Sequence, residues 1–102
     1  MEYLPKEITV AELKQLRDHQ PALFLLDVRE QNEWDIAHIE GAHLIPLSVL
    51  ETDYKDIPKD EPVYCYCKMG GRSARAVEFL KSKGWSNVVN IKGGFQAWSE
   101  EI

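Results

Sequence analysis

The 102-residue chain reads as an α/β fold, a mainly parallel sheet with helices on both faces. Three observations lead there. Strand-like apolar runs and helix-like patterns alternate along the sequence. Leu23-Phe24-Leu25-Leu26-Asp27-Val28 is an almost unbroken apolar run, too short for a helix of usual length. It reads as a strand covered on both faces, which is the mark of a parallel sheet. The segments richest in chemistry, Asp27-Val28-Arg29 and the stretch from Cys67, follow strand ends, where such sheets bind their ligands. The length predicts one domain over 1–102 with one core.

The chain opens on a loosely held lead-in, residues 1–7. Thr9-Val10-Ala11-Glu12 is a capping box, with Ile8 and Leu13 spaced for an apolar staple. A helix follows over about 10–19, with Leu13 and Leu16 on one face, and Pro21 blocks its continuation. After the strand over 23–28 comes a short helix over roughly 31–38, with Trp34 and Ala37 facing inward. Ile39-Glu40-Gly41-Ala42 is a turn. His43-Leu44-Ile45 is a short strand stopped by Pro46. Ser48-Val49-Leu50-Glu51 repeats the capping-box pattern and predicts a brief helix. Residues 53–62, with Pro58 and Pro62, form a polar loop. Val63-Tyr64-Cys65-Tyr66 is the next strand. The helix over about 73–83 buries Ala76, Val77, Phe79 and Leu80, and Gly84 follows as its C′ residue. Residues 87–91 are the last strand, Gly93-Gly94 turns the chain, and a closing helix starts over Phe95 to Trp98.

Cys67-Lys68-Met69-Gly70-Gly71-Arg72-Ser73 joins a strand to a helix start. The free N–H groups there carry roughly half a positive charge, which favours thiolate over thiol and makes an anion site. Gly70 and Gly71 let successive N–H groups converge on one point. Arg72 adds a permanent, forked cation. The stretch is a cradle for a small anion beside a nucleophilic sulfur.

Charge distribution supports this reading. Residues 1–64 hold 14 acidic and 6 basic side chains, whereas residues 65–92 hold Lys68, Arg72, Arg75, Lys81, Lys83 and Lys92 against Glu78 alone. The reactive segment is the one basic stretch of a chain with net charge −5, and its field draws in small anions. Lys81 and Lys83 are read as favouring a helix C-terminus. An acidic chain without a basic-aromatic stripe speaks against nucleic-acid binding. No apolar run is long enough to span a membrane, and the first residues do not read as a signal peptide, so a cytoplasmic location is expected. Cysteines at 65 and 67 are too close for an unstrained bridge along a strand, and Cys-x-Cys alone is a poor zinc site, so no metal or other cofactor is expected.

Taken together, several segments resemble the single-domain rhodaneses, a family of sulfurtransferases. They are Leu25-Leu26-Asp27-Val28-Arg29 with Glu33-Trp34, His38-Ile39-Glu40-Gly41-Ala42, Pro46-Leu47, Cys67 to Ala74, and Gly84-Trp85 through Lys92-Gly93-Gly94 to Trp98. The resemblance implies a five-stranded parallel sheet and a cysteine that carries sulfane sulfur as a persulfide. Carried over, Cys67 is the nucleophile, and Lys68, Met69, Gly70, Gly71 and Arg72 form the loop whose amides surround the terminal sulfur. Arg72 helps bind an anionic donor, Ser73 closes the substrate-binding loop, and Asp27 and Arg29 brace the rim. Six residues from Cys67 to Arg72 match the sulfurtransferase form, whereas phosphatases and arsenate reductases of the same fold resemble it with one residue more. A tetrahedral phosphate needs the wider ring of amides, and no obvious general acid stands ready for a leaving alcohol.

The implied partners are a small anionic sulfur donor such as thiosulfate, and an acceptor that is cyanide, a thiol, or a protein thiol of thioredoxin type. The alternatives are a protein-to-protein sulfur relay carrier and a non-catalytic binding module. The other candidates have plainer readings. Cys65 belongs in the core, with a redox partnership as its alternative. His38 and His43 are structural or surface residues, and His19 ends a helix. Trp34, Trp85 and Trp98 are packing residues. Met69 is an apolar lip over the site or a contact for an acceptor protein.

Overall fold

The computed structural model describes residues 3–101. Its sheet has five strands, β1 (Glu7–Ile8), β2 (Phe24–Asp27), β3 (His43–Leu44), β4 (Val63–Tyr66) and β5 (Val88–Ile91). Their spatial order is β1-β5-β4-β2-β3 and every pair is parallel. The helices are α1 (Val10–His19), α2 (Gln31–Ile36), α3 (Leu50–Asp53), α4 (Gly71–Ser82) and α5 (Gly94–Glu101).

Side chains alternate across a strand, so each inner strand feeds two cores. Leu26, Val63, Cys65 and Val88 pack on one face with Leu50, Ala76, Val77, Leu80 and Trp85. Leu25, Tyr64, Tyr66, Val89 and Ile91 pack on the other with Val10, Leu13 and Ile39. Phe95, Ala97 and Trp98 of α5 lie against this second cluster. Burial on both faces explains why β2 and β4 carry no polar alternation.

The local signals set the helix ends. The Thr9 hydroxyl accepts the Glu12 N–H at 3.1 Å, and the Glu12 carboxylate accepts the Thr9 N–H at 2.9 Å. Ile8 and Leu13 are buried in one cluster, as a staple requires. At the end of α4, Trp85 N–H donates to Leu80 O and Gly84 N–H to Lys81 O, with Gly84 at φ 100°. This is a Schellman ending, and the buried Leu80–Trp85 pair completes it.

Several expectations are corrected. The lead-in is shorter than residues 1–7, because Glu7 already pairs in β1 and Leu4 packs on the second core. Its first two positions, Met1 and Glu2, lie outside the described residues. Helix α2 ends at Ile36 and buries none of its side chains. Trp34 is half-buried and stacks on the His38 ring at 3.6 Å, Ala37 is exposed, and Ile36 is 86% exposed. Polar ties hold this short helix where an apolar stripe was expected. Ser48 caps nothing: its hydroxyl donates to the Glu30 carboxylate at 3.0 Å, and a 3-10 turn over Leu47–Val49 leads into α3. The polar loop contributes to the core through Ile57, and through Tyr54 set edge-on to Phe79 and Trp85. Phe79 is accordingly half-buried, and α4 begins at Gly71.

Candidate active site

Parallel strands all end at one edge of the sheet, and β2 and β4 are central neighbours. Asp27 closes β2, and Cys67 follows the last residue of β4. The ladder runs one step further, with Val28 N–H donating to Tyr66 O at 3.0 Å. The strand-end segments singled out in the sequence therefore meet.

The chain leaves Cys67, reverses through Lys68 and Met69, and enters α4 by way of Gly70 at φ 111°. A residue with a Cβ is strained at that φ. Gly71 needs no such argument: a Cβ there meets nothing within 4 Å. The turn brings the Gly70 N–H to 3.0 Å from Cys67 Sγ. Burial pushes the Cys67 thiol up, but the Ser73 hydroxyl and the N–H groups of Ser73, Gly70 and Met69 outweigh it, and the net direction is down. Cys65, on the same face, goes well up, through burial first and then the charges of Cys67 and Asp27. One of two neighbouring thiols is thus shifted toward its thiolate and the other away from it.

Three neighbours compete for the single proton of the Ser73 hydroxyl: Asn90 Oδ1 at 2.5 Å, Gly70 O at 3.2 Å and Cys67 Sγ at 3.5 Å. Asn90 is oriented by Glu7, whose acceptor-only carboxylate takes the Asn90 Nδ2–H at 3.0 Å and so turns Oδ1 toward Ser73. A chain of contacts runs from edge strand β1 to the Cys67 sulfur. Ser73→Ala is expected to raise the thiol pKa, because it removes a donor to the charged form. The midpoint of the pH dependence of iodoacetamide alkylation should move up in the variant. A midpoint that stays put or falls would count against a hydroxyl that donates to sulfur.

The loop is also held from behind. Phe95 N–H donates to Cys67 O at 2.7 Å and Gln96 N–H to Lys68 O at 2.9 Å, so the start of α5 takes the carbonyls of the two residues. A Cβ on Gly94 would lie 2.3 Å from Cys67 O, so only glycine lets the helix start come this close.

The remaining site residues divide into rim and brace. Lys68 is exposed, and Met69 is 65% exposed. Arg72 sits at the first turn of α4, and both its terminal nitrogens are taken by Glu33 of α2, Nη1 to Oε1 at 2.6 Å and Nη2 to Oε2 at 2.8 Å. The Arg72 hydrogen bonds are the main pull on the Glu33 carboxyl, drawing it down to about 2. Asp27 and Arg29 form a buried pair: Asp27 accepts the Arg29 backbone N–H at 2.8 Å and the guanidinium Nη2 at 2.8 Å. Arg29 also donates to Ala37 O at 2.7 Å and lies over the Phe95 ring at 4.5 Å. Its contacts tie β2, α2 and α5 together around the loop.

Ser73 is fully buried and touches the sulfur from below. Glu7, Glu33, Asn90 and Gly94 escaped the sequence reading as site residues. Asn90 left one signal, a polar residue inside an otherwise apolar strand. Among the described residues no three His, Cys, Asp or Glu side chains cluster as metal ligands. No helix there is long and apolar enough to cross a membrane.

The model of the rhodanese-like domain matches residues 9–101. The chain belongs to the rhodanese-like family. It is 41% identical over 97 residues to a probable adenylyltransferase/sulfurtransferase, MoeZ, of Mycobacterium tuberculosis, covering 93% of this chain and 25% of that protein. It is 46% identical over 78 residues to YqhL of Bacillus subtilis, covering 76% of this chain and 62% of that protein. The chain thus spans a quarter to under two thirds of these curated relatives. The human single-domain sulfurtransferase TSTD1 superposes with a TM-score of 0.86 at 26% identity, covering 97% of this chain and 99% of that one. Among the described residues the rhodanese-like fold is a five-stranded, all-parallel sheet with five helices, and the family is one of sulfurtransferases.

Proposed function

We propose that this rhodanese-like chain transfers sulfane sulfur through a persulfide on Cys67, with thiosulfate as a donor in the assay. The observation that carries this reading is the environment of one sulfur atom, met by the Gly70 N–H at 3.0 Å and the Ser73 hydroxyl at 3.5 Å and shifted toward thiolate by them and by the Ser73 and Met69 N–H groups. The thiolate attacks the outer sulfur of thiosulfate. A Cys67–S bond forms, the bond between the outer sulfur and the sulfonate breaks, and sulfite leaves with the electron pair. Charge balances on both sides, and no proton moves. An acceptor nucleophile then attacks the outer sulfur: cyanide leaves as thiocyanate, a thiolate as a persulfide, and Cys67 is regenerated. The loop N–H groups hold negative charge on sulfur in both half-reactions, and the two-step course predicts ping-pong kinetics.

Cys67 is only 1% exposed, so the donor must push its terminal sulfur down into the ring while its charged end stays at the rim. There Lys68 and Arg72 supply the positive field. Arg72→Ala is expected to raise the KM for thiosulfate about fivefold, as for a charge contact of about 1 kcal/mol at a partly exposed site. Steady-state kinetics checks this, and an unchanged KM would show that Arg72 does not meet the donor. Asp27 and Arg29 brace the loop in this reading and do not touch substrate. The free Cys65 and Cys67 suit a reducing compartment such as the cytoplasm.

The test is intact-mass measurement after donor treatment. Wild-type protein should gain about 32 Da, one sulfur atom, mapped to Cys67 and removed by cyanide. Protein that never gains the mass is a binding module. A relay between proteins is favoured by the bare apolar side chains near the mouth, Ile36 and Met69. It would show as a high KM for thiosulfate beside fast transfer from a persulfide-bearing protein.

A further inference from the structure

The cation best placed to receive an anionic donor is already occupied. Arg72 is held by Glu33 through two parallel hydrogen bonds of 2.6 and 2.8 Å, the geometry in which a guanidinium binds a carboxylate or an oxyanion. Glu33 is itself fixed, since its Oε1 accepts the Glu30 N–H at 3.0 Å at the start of α2. The pair is part-buried, with the two side chains 33% and 24% exposed, so solvent screens it less than a surface bridge. Glu30 also lies in the field of Arg72. The Arg72–Glu33 pair therefore offers an incoming donor far less positive charge than a bare arginine would.

We propose that Glu33 is an internal competitor for Arg72 and a determinant of donor choice, favouring sulfur donors of low charge over the thiosulfate dianion. This rests on the sulfurtransferase reading above. A dianion gains most from a free guanidinium and loses most to a neighbouring carboxylate. A donor whose leaving group carries less charge is less affected on both counts. Glu33 thus acts through Arg72 as a positioning residue and forms no bond to the reacting sulfur.

Two small donors with the same transferable sulfur isolate the effect. Thiosulfate carries two negative charges and releases sulfite. Methanethiosulfonate carries one and releases methanesulfinate, again with charge balanced and no proton moved. The measured quantity is the ratio of kcat/KM for thiosulfate to that for methanethiosulfonate, with cyanide as acceptor. In Glu33→Gln the ratio should rise about fivefold over wild type, through a lower KM for the dianion and at near-constant kcat. Glu33→Ala should move the ratio the same way, and a melting curve on each variant confirms that it is folded. Added salt should shrink the difference between variant and wild type. A ratio that is unchanged or falls in both folded variants overturns the proposal and leaves Glu33 as a strut for α2. Should wild-type protein transfer sulfur from neither donor, the sulfurtransferase reading itself falls.

Discussion

Cys67→Ser is expected to lower sulfur transfer by at least about a thousandfold, the scale seen when a covalent nucleophile is removed. A serine hydroxyl in the same ring accepts the same N–H groups, so the loop keeps its shape. It cannot hold a sulfane sulfur as a persulfide, so the first half-reaction has no product. Thermal unfolding should change by no more than about 1 kcal/mol, as for a substitution that leaves no cavity. Cys65→Ala is the control. Cys65 lies in the core with its thiol pushed well up, so it has no thiolate to offer and transfer should survive its loss. Thiocyanate formation and intact mass measure both variants. Transfer at the wild-type rate by the Cys67 variant would end the enzyme reading, and loss of transfer in the Cys65 variant would move the chemistry two residues back.

The largest effect on stability is expected from Asp27→Ala. Asp27 is fully buried, and Arg29 is 4% exposed. Removing the carboxylate leaves a guanidinium without its counter-charge inside the protein, which costs about 3–5 kcal/mol. Arg29 is held charged, with Asp27 overcoming the opposing effect of burial. The remaining contacts, Ala37 O and the faces of Tyr66 and Phe95, offer dipoles and π-electrons, and the Glu33 carboxylate acts on Arg29 without a hydrogen bond to it. Transfer should fall together with stability, because Arg29 links α2 and α5 around the loop. Urea denaturation gives the first quantity and the cyanide assay the second. A loss below about 1 kcal/mol would mean that water reaches Arg29 and that its burial is incomplete.

What could be read in advance was what depends on neighbours in sequence. Thr9 and Glu12 are three residues apart, and their hydrogen bonds are the ones the pattern predicts. Gly84 after α4, and the glycine turn after Cys67, are short-range demands of the backbone. The apolar run of β2 announces its own burial. Strand β1 leaves no signal, because a two-residue strand carries no period and Ile8 also fits a staple. Ser48 and Glu51 match a cap in sequence, yet Glu30, 18 positions away, accepts the Ser48 hydroxyl. Helical spacing alone turns Trp34 and Ala37 inward, but α2 lies at the rim, where Arg72 holds its glutamate and Arg29 the Ala37 carbonyl just past its end. Glu33 with Arg72, and Glu7 with Asn90, join residues 39 and 83 positions apart. No local pattern records such pairs; they appear once the sheet order brings the segments together.

A peptide unit that points its N–H toward one side points its C=O toward the other. By accepting from Phe95 and Gln96, the carbonyls of Cys67 and Lys68 are anchored on the side away from the sulfur, and a flip of either peptide would break a bond of 2.7 or 2.9 Å. The Lys68 and Met69 N–H groups, which share those peptide units, are therefore held in place in the resting protein and need not turn toward each arriving donor. Rates of the first half-reaction should accordingly show little entropic penalty, and changes at the far, C-terminal helix should be felt at the sulfur without altering any residue that meets substrate.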